Sequence, residues 1–105
     1  MRMLLRASIP VEIGNAAIKA GTLGPTIHQI LAGTNHEAVY FFPDDQGQRS
    51  VAIIVDMKVS SEMPGLADPW HLAFNAKVSI RPVMTLQDLV AAGPGISRAV
   101  DDFGK

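Results

Sequence analysis

Arg49-Ser50-Val51-Ala52-Ile53-Ile54-Val55-Asp56-Met57 is apolar on both sides except at Asp56 and its ends. In an extended chain successive side chains point to opposite faces. Val51, Ile53 and Val55 therefore line one face, and Ala52 and Ile54 the other. A strand of this kind is central and covered on both sides. The rest of the chain, or a partner, must supply that cover.

Immediately upstream, Glu37 to Phe42 is rich in aromatic and branched residues, and Pro43-Asp44-Asp45-Gln46-Gly47-Gln48 joins the two runs as a polar connector. That pairing predicts a β-hairpin. Further back, Arg2 to Ile9 alternates, with Met3, Leu5, Ala7 and Ile9 on one face, and Pro10 stops it. From Val11 to about Gly33 the period changes to that of a helix, with Ile13, Ala16, Ala17, Ala20, Leu23, Ile27, Ile30 and Leu31 on one stripe. Gly21, Gly24 and Pro25 interrupt it, which predicts a kink, or two helical pieces meeting near Gly24.

Downstream, Ser60 or Ser61 can cap a second helical segment, with Pro64 in its first turn. Asp68-Pro69 predicts a break there, and Asn75 an end. Lys77 to Met84 alternates again as a fourth strand, with Pro82 tolerated near an edge or strand end. Thr85-Leu86-Gln87-Asp88 reads as a capping box ahead of a short helix. Gly93-Pro94 interrupts that helix, and Ile96, Val100 and Phe103 form a last stripe.

The order strand, helix, strand, strand, helix, strand, helix is the split β-α-β pattern. It predicts an α+β, ferredoxin-like βαββαβ domain over residues 1–105, with a four-stranded antiparallel sheet and a C-terminal helix. Right-handed crossovers place the first strand between the third and fourth. The helices then cover one sheet face, while the other stays apolar and needs a partner. A second copy packed sheet to sheet satisfies this with two-fold symmetry, so a homodimer or higher homo-oligomer is expected.

Composition narrows the function classes. The chain has 105 residues, net charge −1, 48% hydrophobic and 18% charged residues, and no cysteine. There is no basic excess for nucleic acid and no run approaching the ~20 apolar residues of a membrane helix. Arg6 interrupts the apolar start before a signal-peptide core forms. Without cysteine there are no disulfides, thiolate metal sites or cysteine nucleophiles, which suits a reducing, cytoplasmic setting.

The stretch Asp68-Pro69-Trp70-His71-Leu72-Ala73-Phe74-Asn75-Ala76-Lys77-Val78-Ser79-Ile80-Arg81-Pro82, with the element order and length, resembles the dimeric α/β-barrel superfamily, and within it muconolactone-isomerase-like small proteins. These share a proline-and-aromatic second helix leading directly into the last strand. Gly14-Asn15-Ala16-Ala17-Ile18 and Pro82-Val83-Met84-Thr85 are similar to segments of uncharacterised bacterial proteins of like length. The resemblance implies a dimeric barrel built from two sheets. It does not select a reaction, since the superfamily includes isomerases, cofactor-free monooxygenases, haem enzymes and regulators.

The residues themselves offer few catalytic signals. His28, His36 and His71 match no metal-ligand spacing, so neither a metal nor another cofactor is expected. There is no Gly-x-Ser-x-Gly elbow, and Gly21, Gly24, Gly93 and Gly95 do not form a phosphate loop. What remains is a pocket between sheet and helices. His71, Asp56 and Tyr40 are its candidate catalytic groups, since a buried Asp or His with a shifted pKa moves a proton next to a carbonyl. Arg6, Arg81, Trp70 and His28 are the candidate substrate-binding groups, the arginines for a carboxylate.

Each has a structural alternative. Arg6 with Asp56 reads as a cross-strand or interface ion pair, Trp70 as a core or interface anchor, His71 as a structural histidine, and Tyr40 as a core ring. Two functions fit these residues. One is a cofactor-independent enzyme or binder acting on a small organic acid or aromatic compound, by isomerisation or oxygenation where it is catalytic. The other is a non-catalytic dimeric module for ligand binding or assembly.

Overall fold

The computed structural model describes all 105 residues. Strand β1 (Arg2–Ile9) buries Met3, Leu5, Ala7 and Ile9, as its alternation predicts. Pro10 ends the strand and stands as the N-cap of helix α1 (Val11–Ala20). Gly21, at φ +74°, closes α1 in a left-handed cap that a side chain would strain. Helix α2 (Leu23–Ala32) follows at once. The interruption therefore falls at Gly21-Thr22 as a break between two helices, just before Gly24. Pro25 lies in the first turn of α2, where its missing N–H leaves no intrahelical bond unmade.

Strands β2 (His36–Pro43) and β3 (Arg49–Asp56) form the expected hairpin, with a register shift between His36 and Ala38. A 3₁₀ turn, Ser60–Glu62, leads into helix α3 (Met63–Phe74). The structure departs from the sequence expectation at two points. Ser60 and Ser61 lie in that turn and neither caps α3, whose N-cap is Glu62 without a side-chain cap bond. And α3 runs unbroken through Pro69. A proline forfeits one helical hydrogen bond, here to the Gly65 carbonyl, and crowds that carbonyl. Against this, Trp70 and Phe74, at i and i+4 on one face, are both buried on the sheet with ring centroids 6.2 Å apart. Tertiary packing holds the second half of the helix in line.

Asn75, at φ +52°, ends α3 in the left-handed region. Strand β4 is Lys77–Pro82, shorter than the alternation to Met84 suggests. The capping box is present: Asp88 N–H donates to Thr85 Oγ1 at 3.1 Å, and Thr85 N–H donates to Asp88 Oδ2 at 2.9 Å. It opens helix α4 (Leu86–Ala91), and α5 (Gly93–Phe103) follows.

The sheet is four-stranded with order β2-β3-β1-β4, every neighbouring pair antiparallel. This is the α+β, ferredoxin-like βαββαβ arrangement, with β1 between β3 and β4 as the crossover rule requires. Its core joins the inner residues of β1 and β3 to Trp70, Phe74 and Ala76, with Ile13, Ala17, Leu23, Ile27, Ile30 and Leu31 packed against it. Each fully buried Leu, Ile or Val of this core contributes about 1.5–3 kcal/mol.

No helix covers the opposite face. Registers across it set Ser79, Arg6, Ala52 and Tyr40 in one row and Arg81, Leu4, Ile54 and Ala38 in the next. Beyond β4 the chain extends: the radius of gyration is 17.4 Å and the long axis 58 Å, against about 13 Å for a compact domain of this length. Leu86, Val90, Val100 and Phe103 stay exposed on α4 and α5.

Candidate functional site

The helical side of the sheet ends in an apolar cleft of about 420 Å³. That lies within the range of roughly 300–1,000 Å³ typical of small-molecule sites. Four elements meet there: the end of β1 supplies Ile9, α2 supplies Leu23 and Ile27, the hairpin supplies Phe41, Arg49 and Val51, and α3 supplies Trp70. Each arrives for a local reason. Leu23 and Ile27 are one helical turn apart on the inward stripe of α2. Phe41 sits opposite Val51 on the helical face. Trp70, 1% exposed, reaches the cleft from the sheet-facing side of α3.

Three lining residues carry polar side-chain groups: Ser50, Arg49 and, through its indole N–H, Trp70. Ser50 is buried, and its hydroxyl donates to the Gln48 carbonyl at 3.1 Å and pairs with Ser8 Oγ at 3.0 Å. Arg49 Nη1 donates to Asn15 Oδ1 on α1 at 3.0 Å. The chain's ion pairs are Met1 amino–Asp56, Arg2–Glu37 and His71–Asp68, so Arg49 has no carboxylate partner.

The residues singled out from the sequence do not converge on this cleft, Trp70 excepted. Asp56 ends β3 in solvent, its carboxylate 2.8 Å from the Met1 ammonium. The hydrogen bond from that ammonium holds the Asp56 carboxyl below its ordinary value. Asp56 lies opposite Arg2 in the sheet, and Arg6 opposite Ala52, so the expected Arg6–Asp56 pair does not form. Arg2 instead meets Glu37 at 3.1 Å across the open face, and that hydrogen bond raises the guanidinium's pKa.

Arg6 lies with its guanidinium carbon 5.1 Å from the Phe42 ring centroid, a cation–π distance. Tyr40, 66% exposed, stands on the open face and is not a core ring. Arg81 shares that face on β4. His71 projects from the exposed side of α3, its Nδ1 3.2 Å from Asp68 Oδ1, and His28 is exposed on α2. No group of three or more His, Asp or Glu side chains is placed to hold a metal ion. No helix is long and apolar enough to cross a membrane.

Sequence reasoning passed over Arg49, Phe41, Leu23 and Ile27 as site residues. The available signal was Gly14, a glycine inside a helical stripe, which is buried in the structure with Arg49 lying against it.

No protein-family model matches the chain, and no curated protein matches it. Among solved structures it is similar to a formyltetrahydrofolate deformylase from Pseudomonas putida KT2440, at 16% identity and a TM-score of 0.48, over 79% of this chain and 29% of that one.

Proposed function

We propose that the protein is a homodimeric binding module for small apolar ligands, with the cleft between α2, the β2–β3 hairpin and Trp70 as its site. The observation that carries this reading is the cleft itself: an apolar space of about 420 Å³, floored by a buried indole, with few polar groups. Proton transfer would need an acid–base pair beside the ligand, and the lining holds neither carboxylate nor imidazole, which favours binding over isomerisation or oxygenation. The resemblance to the dimeric α/β-barrel superfamily supports the homodimer, as does the uncovered sheet face. The cysteine-free composition supports a reducing, cytoplasmic setting.

Trp70 is the chain's one tryptophan, so its fluorescence reports the cleft without labelling. Titration with alkan-1-ols of increasing length is expected to give a saturable change in Trp70 emission and a rise in Tm, since a ligand at 100 times its Kd stabilises by about 2.7 kcal/mol. His71→Ala and Arg81→Ala should bind as wild type, because both side chains lie outside the cleft. Absence of any saturable change with these alcohols and with alkanoates of the same length, with Tm unmoved, would overturn the reading.

A further inference from the structure

Arg49 is the charged residue of the cleft lining. A guanidinium carries five N–H donors in one plane, and of these Nη1 donates one to Asn15 Oδ1. No carboxylate of the chain lies within ion-pair distance of it. Its seat is built into another element: Gly14 of α1 is buried, and a Cβ there would stand 2.9 Å from Arg49 Nη1 and 3.6 Å from its Cδ. Real Cβ atoms do not approach that closely. A glycine inside a helix is unfavourable by roughly 0.5–1 kcal/mol relative to alanine, and at this position it leaves the space in which the guanidinium lies.

From this we infer that the cleft takes an amphipathic monocarboxylate, its apolar body against Leu23, Ile27, Phe41 and Trp70 and its carboxylate on Arg49. The inference rests on the binding reading above and names the ligand class for that same site. A single guanidinium suits a single carboxylate, which it meets through two parallel N–H···O bonds. A phosphate ester would leave a second charge unmatched among these apolar walls, where an unpaired charge is costly. Hydrophobic burial supplies affinity for the body and Arg49 supplies the choice of headgroup.

The test compares octanoate with octan-1-ol at neutral pH, read by Trp70 emission and by calorimetry. Wild type is expected to bind the acid at least about tenfold more tightly than the alcohol, a difference of roughly 1.4 kcal/mol. Arg49→Gln should keep the alcohol's affinity and bind the acid no more tightly than the alcohol, because the carboxylate is then unpaired. Gly14→Ala supplies an independent arm, because the clashing atom is the mobile end of a side chain. It should keep the wild-type Tm or exceed it while losing most of the preference for the acid. Equal binding of acid and alcohol by wild type would overturn the inference and leave the binding reading standing. If neither probe binds, the binding reading fails and this inference fails with it.

Discussion

Asp44 holds the β2–β3 turn through one oxygen: Oδ1 accepts the N–H groups of Gln46 and Gln48, each at 2.9 Å. The Gln48 amide is the largest cause keeping this carboxyl below its ordinary value of 3.8. A carboxyl with a lowered folded pKa stabilises fully above its unfolded value, and that contribution is lost as pH falls through the lower folded value. Asp44→Ala should therefore melt below wild type at neutral pH, with a gap that is constant down to about pH 4 and closes beneath it. Melts across that range check this, and a pH-independent gap would assign the loss to turn conformation instead of charge. Trp70→Ala removes the largest fully buried side chain and should cost about 3–5 kcal/mol in urea titrations followed by circular dichroism. Trp70 was legible as an anchor because a large ring beside helical apolar positions has few other places to go. Arg49 was not, since a charge at a strand end is ordinarily solvated, and what distinguishes it is a glycine on a different element.

Among the elements, period decided what was readable. The alternation in β1, the two-sided apolar run of β3, the polar connector and the Thr85–Asp88 box each encode their structure within a few residues, and each appears where its pattern lies. Helix α3 was misread at Pro69 because the local rule against interior proline was opposed by burial of Trp70 and Phe74, a term absent from local sequence. The cleft was illegible for the same reason: its walls come from separate elements that only the sheet order brings together. The conflict in α3 has a measurable consequence. Interior proline is disfavoured by about 3 kcal/mol relative to alanine, while alanine restores up to about 1 kcal/mol of unfolded-chain freedom. Pro69→Ala should then raise stability by about 2 kcal/mol, seen as a higher urea midpoint at unchanged slope. An unchanged midpoint would mean that α3 has already adapted its backbone to the ring.

At the scale of the whole molecule, two apolar surfaces lack cover within one chain: the open sheet face, with Leu4, Ile54, Ala52 and Tyr40, and the stripe of Ile96, Val100 and Phe103 on α5, where Phe103 is 87% exposed. The α4–α5 arm extends from the domain, which accounts for the 58 Å axis. Isolated, both surfaces would be exposed to non-specific association. In a two-fold dimer a patch meets its own copy, so one contact covers both sheets. Sedimentation equilibrium at micromolar concentration should therefore give at least twice the 11.2 kDa chain mass. Ile54→Asp places a carboxylate on the open face and away from the helix-packed side. It should shift the mass toward 11.2 kDa while the far-ultraviolet spectrum is retained. A chain ending at Met84 should also associate more weakly, because it lacks the arm. A full-length protein that sediments as a stable monomer would leave an apolar sheet face in water with nothing to balance it, and the homodimer would have to be abandoned. If Ile54→Asp and wild type instead share the dimer mass, the contact runs through the arms and not through the sheets.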